Sequence, residues 1–73
     1  MSRYKIQLTT FNDAARLAAA AEALDMPIYL TDGAGMKVSA KSVMGAIYSL
    51  EFEEIWLESD EDIPFNDFKE FII

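Results

Sequence analysis

The side chains able to do chemistry in this chain form a short set. Its 73 residues include no histidine and no cysteine, which removes the imidazole base, the thiol nucleophile and the usual ligands of a structural zinc site. Hydroxyls and carboxylates remain. Lys41 beside Ser42 has the composition of a Ser-Lys nucleophile pair, but adjacent residues of a strand point to opposite faces, so the pair is not read as catalytic. Ser42 stands where the apolar pattern lengthens from the strand period to the helical one, which makes it an N-cap. It then has two uses. As a cap alone it contributes about 1 kcal/mol; as a phosphorylation site it would take up roughly −1.5 to −2 charge beside the N–H groups of a helix start. The acids Glu51, Glu53, Glu54, Glu58, Asp60, Glu61 and Asp62 lack the spacing and the glycine of a calcium-binding loop, so they read as a solvated face. No metal and no cofactor is expected.

These residues need elements to hold them. Tyr4, Ile6 and Leu8 alternate with Arg3, Lys5, Gln7 and Thr9, a first strand with one apolar face. Asn12 or Asp13 is expected to cap a helix in which Ala14, Leu17, Ala18, Ala21 and Leu24 recur at three- and four-residue steps, with Pro27 preventing its continuation. Ile28 and Leu30 share one face of a second strand, opposite Tyr29 and Thr31. Asp32-Gly33-Ala34-Gly35 is a turn signal, so residues 36–40 should return as a hairpin partner. A short helix follows Ser42 to about Tyr48, with Val43 and Ile47 expected to share burial and Met44 expected to be exposed; Lys41 reads as a solvated charge. A fourth strand spans about 53–59, with Ile55 and Leu57 inward. Residues 64–73 carry Phe65, Phe68 and Ile72 at the spacing of a terminal helix. The order β-α-β-β-α-β-α predicts one α+β domain over residues 1–73, a two-layer open-faced sandwich with a four-stranded antiparallel sheet and helices on one face.

Thirteen acids against six bases give a net charge of −7. That balance repels phosphate backbones and anionic lipid, so neither nucleic acid nor membrane is an expected partner, and a protein with a basic contact surface is. No apolar run approaches the roughly 18 residues needed to span a bilayer, and residues 1–5 lack the apolar region of a signal peptide, so a cytoplasmic protein is expected.

The element order, and above all Lys41-Ser42-Val43-Met44-Gly45 at a strand-to-helix junction, resembles HPr, the histidine-containing phosphocarrier of the bacterial sugar phosphotransferase system. As topology the resemblance covers nearly the whole chain; as a residue motif it covers about 37–50. It implies the HPr-like sandwich, and it implies where this chain departs from the family. Carrier members hold phosphate on a histidine at the start of the first helix, with an arginine two residues later; counting back from Ile28, those positions fall near Thr10 and Asn12. A Thr hydroxyl is a weak nucleophile and would form a stable ester, so phosphate carriage of the histidine kind is not expected. The final helix is shorter than in the family, and Tyr48 looks inserted. Some HPr paralogues also lack the histidine but keep the helix-cap serine, which a dedicated kinase phosphorylates so that the protein binds a transcriptional regulator. Ser42 matches that serine, and Val43, Met44 and Ile47 fall where the family presents apolar contacts to partners.

The resemblance thus implies a non-enzymatic regulatory or adaptor protein. The alternatives are a phosphotransfer component using Thr10 and a structural interaction subunit unrelated to sugar transport. Alternation along the strands also sets Trp56 and Tyr29 on the helix-free face, beside Lys5 and Gln7 if the strand order is HPr-like. This patch is either a second interface, a candidate homodimer surface included, or an aromatic covered by charged stems.

Overall fold

The computed structural model describes all 73 residues. Strand β1 is Ser2–Ile6, helix α1 Phe11–Glu22, β2 Tyr29–Thr31, β3 Lys37–Ser39, α2 Val43–Tyr48, β4 Ile55–Ser59 and α3 Phe65–Phe68, with one 3-10 turn at Ser49–Glu51 after α2. The chain therefore has the β-α-β-β-α-β-α order read from its periodicities. All pairings in the sheet are antiparallel, and the strands lie in the order β1-β4-β2-β3. The fold is α+β, an open-faced sandwich. Ile6, Leu30, Ile55 and Leu57 from the sheet meet Ala14, Leu17, Ala18 and Ala21 of α1, Ala46 of α2 and Phe68 of α3 in one core. Each large apolar side chain buried there is worth about 1.5–3 kcal/mol, and the alanines of α1 are small enough to bring that helix close to the layer beneath.

Several boundaries differ from the expectation, each for a physical reason. β1 stops at Ile6 and not Thr9, because Thr9 is drawn into the start of α1, where its amide and hydroxyl both donate to Asp13 Oδ2; Leu8 is buried all the same. The cap of α1 is Thr10 and not Asn12 or Asp13. Thr10 Oγ1 accepts from the Asp13 amide, and the Asp13 carboxylate reaches back to the Thr10 amide, a reciprocal capping box. α1 ends at Glu22, before Pro27 is reached. The Lys41 ammonium donates to the carbonyl of Leu24 just beyond that end, so Lys41 is engaged and is not a free solvated charge. Thr31 lies on the open face yet is buried, its hydroxyl accepting from the Gly33 amide.

The largest correction is at the C-terminus. The expected helix over 64–73 is only the four residues of α3, and the chain then turns back along β1. Ile72 bridges Ile6, the Gln7 amide donates to Phe71 O, and the Ile73 amide donates to Lys5 O. These bonds satisfy part of the outer edge of β1, which would otherwise expose unpaired backbone groups. Phe68 and Phe71 are the buried aromatics; Phe65 is exposed, edge-on to Tyr4 at 6.0 Å, and Ile72 is half-buried.

Candidate functional site

Ser42 caps α2 as expected. Its extended backbone ends the segment after β3, and its Oγ accepts the Gly45 amide at 3.1 Å. Ser42 is exposed. Gly45 then fixes how close α2 lies to the sheet: a Cβ at that position would stand 2.7 Å from the Ser39 carbonyl oxygen. With Gly45 against β3 and Ala46 fully buried, α2 is seated by its smallest residues. Val43, Met44 and Tyr48 are exposed, and Ile47 alone of the helix's larger side chains packs against the core. Met44 is 78% exposed, as expected, but Val43 is 48% exposed and not buried, and Ala46 is the fully buried residue of α2. Ile47 is half-buried against the core. Of the three residues named for partner contact, Val43 and Met44 form the free surface and Ile47 supports it from beneath.

Tyr48 ends α2 as the sequence predicts, but the sequence reading assigns it no surface role. One turn after Met44, it is 50% exposed, stands edge-on to Phe52 at 5.9 Å, and adds to the apolar surface of α2. The available signal was the four-residue step from Met44 to Tyr48. Met36, assigned simply to the strand, lies before β3 and is also exposed.

The Thr10 and Asn12 positions make a different kind of site. Thr10 and the exposed Asn12 stand at the start of α1, where the Asp13 carboxylate already accepts the Thr9 and Thr10 amides and sets negative charge beside the Thr10 hydroxyl. Hydrogen bonds from the Thr9 backbone and then the Thr9 hydroxyl, with smaller help from Thr10 and Arg16, hold the Asp13 carboxyl below its ordinary value of 3.8. Arg16 is itself held between Asp13 at 3.3 Å and Glu70 at 2.7 Å. An anion arriving at Thr10 meets a carboxylate that is already in place.

On the helix-free face, Trp56 lies opposite Lys5 on one side and Thr31 on the other, and Tyr29 lies opposite Glu58. The Arg3 guanidinium sits 4.3 Å from the Trp56 ring centroid, Lys5 Nζ approaches at 5.9 Å, and the indole N–H donates to Glu54 at 3.3 Å. Lys37 covers Tyr29 at 4.7 Å. Glu58 is bridged by Arg3 and Lys37. Trp56 and Tyr29 are therefore brought together on one face, but under charged side chains that belong to the chain itself. Three of the six bases are here, so the unbalanced acidity lies elsewhere.

No helix is long and apolar enough to cross a membrane. Comparison of the chain with family models, curated proteins and solved structures gave no match.

Proposed function

We propose that this chain is a non-catalytic, HPr-like regulatory or adaptor protein of the bacterial cytoplasm, related to the phosphotransferase system, which docks a partner protein through the exposed start of α2 and is regulated at Ser42. The observation that carries the reading is the exposure of Val43 and Met44 immediately after the Ser42 cap. A methionine in water next to a second apolar side chain is adaptable contact surface, and on this helix the core positions are already filled by Ala46 and Ile47. The net charge of −7 favours a partner with a basic contact surface and disfavours nucleic acid and anionic membrane.

The competing use of Thr10 as a phosphate acceptor is disfavoured by its surroundings. Phosphorylation there would set a dianion beside the Asp13 carboxylate and break the capping box of α1. Incubation with the phosphotransferase system's upstream phosphoryl donor and labelled phosphoenolpyruvate tests this directly: no transfer is expected, and stoichiometric label on Thr10 would replace the adaptor reading with a phosphotransfer one.

Ser42 is tested by comparing the wild type with Ser42→Ala and Ser42→Asp. The Asp variant keeps an acceptor at the N-cap and should retain the fold with little change in stability, while partner binding changes. An identical set of bound partners for all three forms would leave Ser42 as a cap and nothing more. A structural subunit unconnected with sugar transport is the outcome if none of the bound proteins belongs to that system.

A further inference from the structure

Beside the α2 surface, a cleft of about 480 Å³ opens between the end of α2 and the turn joining β2 to β3. Met36, Tyr48 and Phe52 give it apolar walls, and no lysine or arginine lines it. Its rim holds carboxylates that differ in freedom. Asp32 Oδ1 already accepts the amides of Ala34 and Met36, which fixes the turn. Glu54 is shared with Lys5 and with the Trp56 indole. Glu51 and Glu53 are exposed and have no cation within ion-pair distance.

Apolar walls gain by leaving water, whereas exposed carboxylates lose by it unless a cation arrives with the occupant. An occupant that satisfies both brings an apolar anchor with positive charge at its flanks. We infer that this cleft seats a cationic amphipathic segment of the partner protein, with an apolar side chain against Met36, Tyr48 and Phe52 and Lys or Arg side chains toward Glu51 and Glu53. This rests on the adaptor reading and names the chemistry of its partner. Charge complementarity selects the occupant: a second copy of a chain with net charge −7 would bring like charge to an acidic rim. An Arg guanidinium gains additionally from the aromatic faces of Tyr48 and Phe52. Because Met44 lies one helical turn before Tyr48, a segment longer than the cleft continues onto the start of α2. Negative charge added at Ser42 then strengthens the encounter with a cationic partner.

The test is a titration of the isotopically labelled full chain, followed by amide resonances. The probe is an acetylated and amidated 15-residue peptide of Leu and Lys in amphipathic helical order, and the control is a Ser and Lys peptide of equal charge. Saturable shifts are expected at Met36, Tyr48, Glu51, Phe52 and Glu53, with the control binding more weakly by about tenfold at least and binding of the probe weakened by salt. Glu51→Gln with Glu53→Gln, and separately Tyr48→Ser, should each raise the probe's Kd about tenfold while the circular dichroism of the chain is unchanged. The inference is overturned if the shifts centre on the acidic loop at 60–62, if the control binds as tightly as the probe, or if the Glu51 and Glu53 variant binds like the wild type. Shifts confined to residues 42–44 overturn the cleft and leave the adaptor reading standing. Equivalent shifts on concentrating the chain without peptide would make a second copy the occupant and overturn it as well. Label on Thr10 in the phosphotransfer assay bears on the adaptor reading alone.

Discussion

Gly45→Ala should destabilise this protein, although in an isolated helix the same change stabilises. Replacing an interior helical glycine by alanine is worth about 1 kcal/mol in favour of the helix. Here the added methyl group would lie 2.7 Å from the Ser39 carbonyl oxygen, a backbone atom of β3 that has no rotamer to move aside. α2 has to retreat from the sheet by several tenths of an ångström, and the residue it carries into the core, Ala46, is fully buried. Overpacking of that kind costs about 1–3 kcal/mol. Retreat also lengthens the bond from the Gly45 amide to Ser42 Oγ, now 3.1 Å, which weakens a cap worth about 1 kcal/mol. The destabilising effects win, and a net loss of about 1–2 kcal/mol is expected. In a domain of this size that lowers Tm by roughly 5–15 °C.

The measurement is thermal and urea unfolding by circular dichroism, run beside Met44→Ala. Met44 is one residue away, 78% exposed, and its substitution should stay within about 0.5 kcal/mol. The pair separates close approach from a general intolerance of α2. A Gly45→Ala protein as stable as the wild type, or more stable, would show that α2 does not depend on this contact, and the account of why Val43 and Met44 are turned outward would fall with it.

Asp13 sets a pH dependence whose sign follows from the direction of its shift. Its folded-state pKa lies below the ordinary 3.8, chiefly through the Thr9 backbone and hydroxyl. Its stabilising contribution is therefore complete above the unfolded value and is lost as pH falls through the folded one. Stability measured by urea unfolding from pH 5 down to pH 2 should decline less steeply in Asp13→Asn than in the wild type; parallel curves would contradict the assignment. On the open face, Trp56→Ser should leave the sedimentation of a micromolar sample unchanged, because Arg3, Lys5 and Glu54 already occupy the ring and its N–H. A dimer present in the wild type and absent in the variant would make this face an interface.

Where a single residue changed the local pattern, the structure was legible in the sequence. Ser42 caps α2 because the apolar period lengthens there, and the alanines of α1 marked its buried stripe in advance. The cap of α1 was legible too, since Thr10 with an acid three positions later is the signature of a capping box, and Asn12 and Asp13 merely stood closer to the first apolar repeat. What the sequence hid was tertiary. Phe65, Phe68 and Ile72 fit a helical spacing, but the edge of β1 offered the backbone of 71–73 another partner, and no local pattern announces a bond to a strand about 65 residues earlier. The exposure of Val43 was hidden for a related reason. In a six-residue helix, the preference of valine for the core is weaker than the demand that glycine and alanine face a sheet lying this close.

The two helix starts carry the functional argument between them, because the protein treats them oppositely. At α1 the Asp13 carboxylate holds the Thr9 and Thr10 amides and the Thr9 hydroxyl, and it shares Arg16 with Glu70. An acceptor at Thr10 would have to displace a charge that the fold itself supplies, in a chain with no histidine to do the chemistry. At α2 the first turn contains no acidic residue, and the cap is a neutral hydroxyl in the open beside two exposed apolar side chains. Added negative charge therefore meets repulsion at the first helix and room at the second. Phosphorylation at Ser42, as proposed, would place the change in charge beside the exposed Val43 and Met44.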